Sequence, residues 1–299
     1  MNVPHMGMTR SVLFTAIMMG AVSASQAAIF DIPITNPGAE SGSLVGWTSS
    51  QFNWPIDDYA AVISPPEAPE GDHYFELDLS IFPSDPLDFA NGSYPPSYRL
   101  TQGRFDLSAY SGKLEDIFIS AWTRNDNLAL VVEDGTGTYE YSLGQYLSID
   151  LVDAGGNIFY GLGNGTWSAA GWVWQNDRNF SWWDQWDARK DEIAAIDIEL
   201  ETRISNWDST YSGPQLKDID PATVIAAYYT WTGADGNDYS GLFSDYGGDQ
   251  LPIVGFDGVE LKVSAVPLPA AFWLFASGIV GVLGVARKRL RLRSSALSS

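Results

Sequence analysis

The chain contains no cysteine. Disulfides, thiolate metal sites and cysteine nucleophiles are therefore excluded. Histidine is nearly absent too, with only His5 and His73. One or two histidines cannot build a three-histidine or His-Glu-x-x-His zinc centre. No Gly-x-Ser-x-Gly elbow is present, so a serine triad through His73 has no nucleophile turn. Basic residues are few, 16 against 37 acids. Long apolar runs are missing from the interior, and no Pro/Ser/Gly linker divides it.

The apolar runs that do occur lie at the two ends. Arg10, the run Ser11 to Val22 and the small residues Ser23-Ala24-Ser25-Gln26-Ala27 have the layout of a secretory signal peptide, cut after Ala27 or Ala28. At the other end, Leu268 to Ala286 is 19 residues without a charge. That is close to the ~20 residues a helix needs to cross a bilayer. Arg287, Lys288 and Arg289 follow, with further arginines at 291 and 293, as expected of a cytoplasmic flank. The body between, 28–265, holds all 37 acids and ten of the bases, a net charge of −27. Such a surface repels nucleic acid and anionic polymers, and it suits calcium. About 238 residues rich in aromatics can form a large core without disulfides.

Val266-Pro267-Leu268-Pro269, the apolar run and the basic cluster together resemble the PEP-CTERM sorting signal of Gram-negative bacteria, in its Val-Pro-Leu-Pro variant. The resemblance covers about a tenth of the chain. It implies export by the Sec machinery, a transient stay in the inner membrane, and cleavage near the Pro motif by an exosortase. The product would go to the cell surface or the extracellular polymer matrix. The hydrophobic tail would then be a removable address, as in a GPI signal. A permanent single-span anchor is the alternative.

Within the body, short runs alternate polar and apolar residues between Gly/Asn/Asp turns. Clear cases are Phe75 to Leu79, Leu114 to Thr123, Tyr139 to Leu151, Ile196 to Glu201, Val224 to Trp231 and Val254 to Val263. About ten such strands and little helix predict an all-β, antiparallel β-sandwich as one domain, 28–265. A short helix or turn is expected before Ala194. Asn36-x-Gly38-x-Glu40-x-Gly42, then Gly46-Trp47, resembles the opening of jelly-roll, galactose-binding-like carbohydrate-binding modules. Phe256-Asp257-Gly258-Val259 resembles their closing motif, with glycine for the commoner second aspartate. This resemblance implies a structural calcium ion held by Glu40 and Asp257. Asp72, in the matching Gly71-Asp72-His73-Tyr74 hairpin, is the third choice. Calcium takes six to eight oxygens, so backbone carbonyls would have to complete the set.

Half of the 12 tryptophans fall between Gly161 and Trp186. Trp182, Trp183 and Trp186 are candidates for a glycan-stacking platform, against the competing role of burial in the core. No catalytic residue stands out. The expected function is therefore a non-enzymatic exported protein, structural or adhesive, with an extracellular polysaccharide as the expected partner. An extracellular carbohydrate-active enzyme using paired carboxylates is the alternative.

Overall fold

Side chains on a strand point alternately to opposite faces. The alternating runs therefore become strands with one buried face. The computed structural model describes residues 27–266, apart from 52–58, 64–67, 83–85, 87–96, 167–169, 180–184 and 205–213. The chain divides into two units, 29–264 and a second made of 1–28 and 265–299. Nearly all the described residues belong to the first. The expected signal peptide and the sorting segment beyond Val266 lie outside the described residues. Among those described, no helix is long and apolar enough to cross a membrane.

The strands are β1 (Ala28–Ile32), β2 (Thr48–Gln51), β3 (Tyr59–Ile63), β4 (His73–Leu77), β5 (Ser97–Asp106), β6 (Leu114–Arg124), β7 (Ala129–Asp134), β8 (Thr138–Asp153), β9 (Ile158–Thr166), β10 (Val173–Asn179), β11 (Ile193–Ile204), β12 (Val224–Thr232), β13 (Asp238–Gly241) and β14 (Gly255–Ala265). A six-stranded sheet runs β10-β6-β14-β4-β3, with β1 on β14. An eight-stranded sheet runs β13-β12-β7-β8-β11-β5-β2, with β9 on β8. The pairings that set these orders are antiparallel, for example β11 on β8 and β10 on β6. One hydrophobic core draws on both sheets: Phe75, Ile117, Ile119, Phe256 and Leu261 from the first, Leu100, Leu130, Ile149, Ile198 and Leu200 from the second.

The short helix expected before Ala194 is present as α1 (Trp186–Arg189), followed by one 3-10 turn before β11. Strand β10 was not foreseen. It comes from the tryptophan-rich segment, and its residues Val-Trp-Gln-Asn-Asp-Arg-Asn show no sustained alternation. A register shift between Gln175 and Arg178 accounts for that, because a bulge resets which residues face inward.

The two sheets are tied together by a buried polar turn. Between β6 and β7, Arg124, Asn125 and Asp126 are 9%, 1% and 1% exposed. Asp126 and Asn127 have positive φ, 47° and 55°, which their short polar side chains tolerate. The Asp126 carboxylate accepts from Arg124 Nε at 2.8 Å, from Gly171 N at 3.1 Å and from Ile253 N at 2.8 Å. Its carbonyl accepts from Thr232 N at 2.8 Å. Asn125 Nδ2 donates to Leu143 O at 3.0 Å. Gln145 on β8 adds a bond across the sandwich, its Nε2 donating to Gly255 O at 2.9 Å.

Removing one partner of a buried ion pair leaves an uncompensated charge, at a cost of about 3–5 kcal/mol. Asp126→Asn should therefore lower the melting temperature by about 10 °C, at about 2–4 °C per kcal/mol for a domain of this size. Thermal denaturation followed by circular dichroism checks this. A change under 3 °C would show that Arg124 is solvated elsewhere.

Candidate functional site

The opening and closing motifs meet, as neighbouring first and last strands require. Residues 36–42 form a tight turn. Asn36 and Ala39 sit at φ 52° and 60°. Asn36 Nδ2 donates to Ser43 O at 2.7 Å, its Oδ1 accepts from Ser41 N at 2.9 Å, and its carbonyl accepts from Trp47 Nε1 at 3.0 Å. The turn is pinned to β14 by Val259 N donating to Pro37 O at 3.1 Å.

Three carboxylates converge where these segments touch. Glu40 accepts from Asp72 N at 3.2 Å and from His73 N at 3.1 Å. Asp257 is fully buried, its Oδ2 accepting from Glu70 N at 2.9 Å and its Oδ1 from Gly258 N at 2.7 Å. Glu70 Oε1 accepts from Trp122 Nε1 at 3.4 Å. Each carboxylate sits against a glycine. A β-carbon on Gly38 would lie 2.4 Å from Asp257 Oδ1, one on Gly71 2.3 Å from Glu40 Oε1, and one on Gly258 2.8 Å from Glu70 Oε2. The three glycines are thus required by close approach, and Gly71 and Gly258 also by positive φ of 70° and 54°.

The electrostatics are unbalanced. Burial pushes the Asp257 carboxyl up to about 7, and the negative charges of Glu70 and Glu40 push the same way; the two N–H bonds oppose them only in part. His73 Nδ1 is 3.9 Å from Glu40 Oε2, the one basic group in salt-bridge range of these carboxylates among the described residues. The arrangement thus favours a proton on Asp257 up to near-neutral pH.

The sequence expected Glu40, Asp72 and Asp257 to act together. Glu40 and Asp257 are brought together. Asp72 joins through its backbone N–H, and the third carboxylate that Asp257 senses is Glu70, two residues earlier. Sequence reasoning missed Glu70 because the hairpin motif drew attention to Gly71-Asp72. The signal available was Glu70 itself, at the end of the same Pro/acid loop. All the donors are oxygens, which is calcium chemistry. Among the described residues, no group of three or more His, Asp or Glu side chains is arranged to hold a metal ion. The carboxylates match calcium in kind and in charge, and a formed cage is not part of the described structure.

Of the three tryptophan candidates, Trp186 takes the competing role of burial in the core. Trp186 is 2% exposed and its Nε1 donates to Glu115 O at 2.8 Å, so it serves the core and presents no face for stacking. Trp182 and Trp183 lie outside the described residues. Trp122 and Trp174, on neighbouring strands, form a half-buried pair with ring centroids 5.3 Å apart. The sorting residues Pro267, Leu268 and Pro269 and the basic cluster Arg287, Lys288 and Arg289 also lie outside the described residues. Val266 ends the described chain.

No protein-family model matches this chain, and no curated protein matches it. Among solved structures, the enzymatically active domain of bacteriophage CBA120 tailspike protein 4 aligns with a TM-score of 0.36 at 12% identity, over 57% of this chain. The alignment covers 19% of that chain, so this protein spans about a fifth of its length. Nothing is carried over from it.

The raised Asp257 carboxyl makes a signed prediction. A folded-state value above the unfolded one means that folding favours the protonated form. This stability is present below about pH 4 and is lost as pH rises through about 7. A shift of three units corresponds to roughly 4 kcal/mol. In chelator, the melting temperature should fall by several degrees between pH 5 and pH 8. Asp257→Asn should remove most of that slope, and an unchanged slope would mean that Asp257 does not carry it.

Proposed function

We propose that this is an exported, non-enzymatic β-sandwich protein of the jelly-roll, galactose-binding-like type. It would be delivered to the cell surface or extracellular matrix of a Gram-negative bacterium and bind polysaccharide there. In this reading the Glu40, Glu70 and Asp257 carboxylates close the module around calcium. The observation that carries it is Asp257: a fully buried carboxylate beside two other acids, with no arginine or lysine in contact with it among the described residues. A divalent cation answers that charge, and calcium is abundant outside the cell. The acidic body, the lack of cysteine and the two end segments support export. Sorting through Val266-Pro267-Leu268-Pro269 rests on the resemblance of those residues to an exosortase substrate.

Calcium binding only the folded state stabilises it by RT ln(1 + [L]/Kd), about 1.4 kcal/mol at ten times Kd. Titration to 10 mM calcium at pH 8 should raise the melting temperature by about 3–5 °C. The gain should be smaller at pH 5, where protons compete, and absent in Asp257→Asn. A melting curve at pH 8 that ignores both calcium and EDTA would remove the ion from the model.

Sorting has a separate test. Intact mass spectrometry of the protein released by its native host should show a chain beginning at Ala28 or Ile29 and ending near Pro269. A mature chain that retains Arg287-Lys288-Arg289 would instead establish a permanent anchor.

A further inference from the structure

The solvent face of the eight-stranded sheet holds a cavity of about 430 Å³, lined by Thr101, Gly103, Arg104, Asp150, Asp197 and Glu199 over the backbone of Ile198. That volume lies in the range of small-ligand sites, ~300–1,000 Å³. The cavity stands open because its floor is stripped of side chains. Gly103 faces Asp197, whose Oδ1 a β-carbon there would meet at 2.7 Å, and Gly161 on β9 faces Asp150 at 2.9 Å. Register places Gly161, Gly163 and Gly165 opposite Asp150, Ser148 and Tyr146. A row of glycines on β9 therefore runs beside Asp150 and Ser148 of β8.

The charges in this face are paired, with one exception. Arg104 Nη2 is 3.1 Å from Asp197 Oδ2, Arg99 Nη1 is 3.2 Å from Glu199 Oε2, and Arg99 Nη2 is 3.4 Å from Glu201 Oε1. Ser97 Oγ also donates to Glu201. Asp150 has no ion pair or hydrogen bond among the described residues. It lies directly opposite Asp197 across β8 and β11, a like-charge juxtaposition that destabilises a sheet. Burial, and after it Asp197, raises its carboxyl above the ordinary range, against a partial opposing pull from Arg99. Asp150 is thus half-buried beside a second acid, and Arg99, bonded to Glu199 and Glu201, offsets its charge only from beyond salt-bridge range.

We propose that this cavity binds an amine-bearing polysaccharide, with one sugar ammonium seated between Asp150 and Asp197 and ring hydroxyls on Thr101, Arg104 and Glu199. The inference rests on the polysaccharide-binding part of the proposed function and names its ligand class. Among the described residues no exposed aromatic lines the cavity; the Tyr146 ring, further along β8, is covered by Arg203, whose Cζ is 4.2 Å from the ring centroid. Recognition here is consequently ionic and hydroxyl-directed rather than by stacking. The side chains that line the cavity are polar or charged apart from Ile198, so it offers no cluster of apolar side chains for a peptide. Carboxylates in excess over arginines disfavour anionic glycans.

The test is isothermal titration of the purified protein with a fully deacetylated chitin hexamer, its fully acetylated counterpart, an alginate hexamer and hexalysine. The expected result is binding of the deacetylated hexamer alone. It should weaken at least tenfold in Asp150→Asn and remain unchanged in Asp187→Asn, an equal charge loss at a side chain that is 94% exposed. Melting curves of both variants confirm folding. Equal weakening by the two variants, or equal affinity for hexalysine, would reduce the effect to net charge and overturn the proposal. Tighter binding of the acetylated hexamer or of alginate would overturn the ligand class while keeping polysaccharide binding. Binding of none of the four would overturn the proposal, and a wider glycan screen then decides whether the binding function itself falls.

Discussion

The buried carboxylate of Asp126 is the constraint on which the two sheets depend. It terminates β6, receives the N–H of Ile253 just before β14, and through its carbonyl receives Thr232 at the end of β12. Those contacts reach both sheets from one residue. A buried charge is costly unless paired and hydrogen-bonded. Arg124 neutralises it and backbone N–H groups fill its remaining lone pairs. Two apolar sheets can slide over one another at little cost, because hydrophobic burial is non-directional. A set of hydrogen bonds converging on one turn fixes their relative register.

Asp257 uses the same device with the charge left unbalanced. Both carboxylates are buried and each accepts at least two backbone N–H bonds. Asp126 has a guanidinium beside it, and Asp257 has two further acids. That difference separates a structural element from one that responds to solution conditions. The first carries its own counter-charge in Arg124. The second has its carboxyl raised to about 7 by burial and so changes its charge near neutral pH. The glycines at 38, 71 and 258 allow the three acids to pack this closely.

Much of this architecture was legible in the sequence because a half-buried antiparallel strand writes its orientation as alternation. Phe75 to Leu77, Leu147 to Leu151 and Ile196 to Leu200 alternate and are strands with one buried face. Strand β10 was hidden because its bulge breaks the period. The meeting of Glu40 with Asp257 was legible only through two motifs some 200 residues apart. Glu70 was not, since a third acid is chosen by loop conformation, and no periodicity records that. Trp186 shows the same limit. An indole in a cluster of indoles has no pattern that separates core from platform, and here its N–H finds Glu115 O within the fold.

Asp150 could not be singled out either, because 37 acids make any one of them ordinary. What distinguishes it is subtraction. Arginines bond its neighbours, Asp197 by Arg104 and Glu199 by Arg99, and none forms a salt bridge with Asp150 among the described residues. In a body of net charge −27, counter-ions must come from outside the chain wherever the acids are too buried for water to screen them. Asp257 and Asp150 are two such places, one enclosed and one opening onto a cavity. An enclosed site of that kind suits a small ion, and an open one suits a charge carried on a chain. On the proposed reading, the excess of acid divides into two sites whose ligands differ in size.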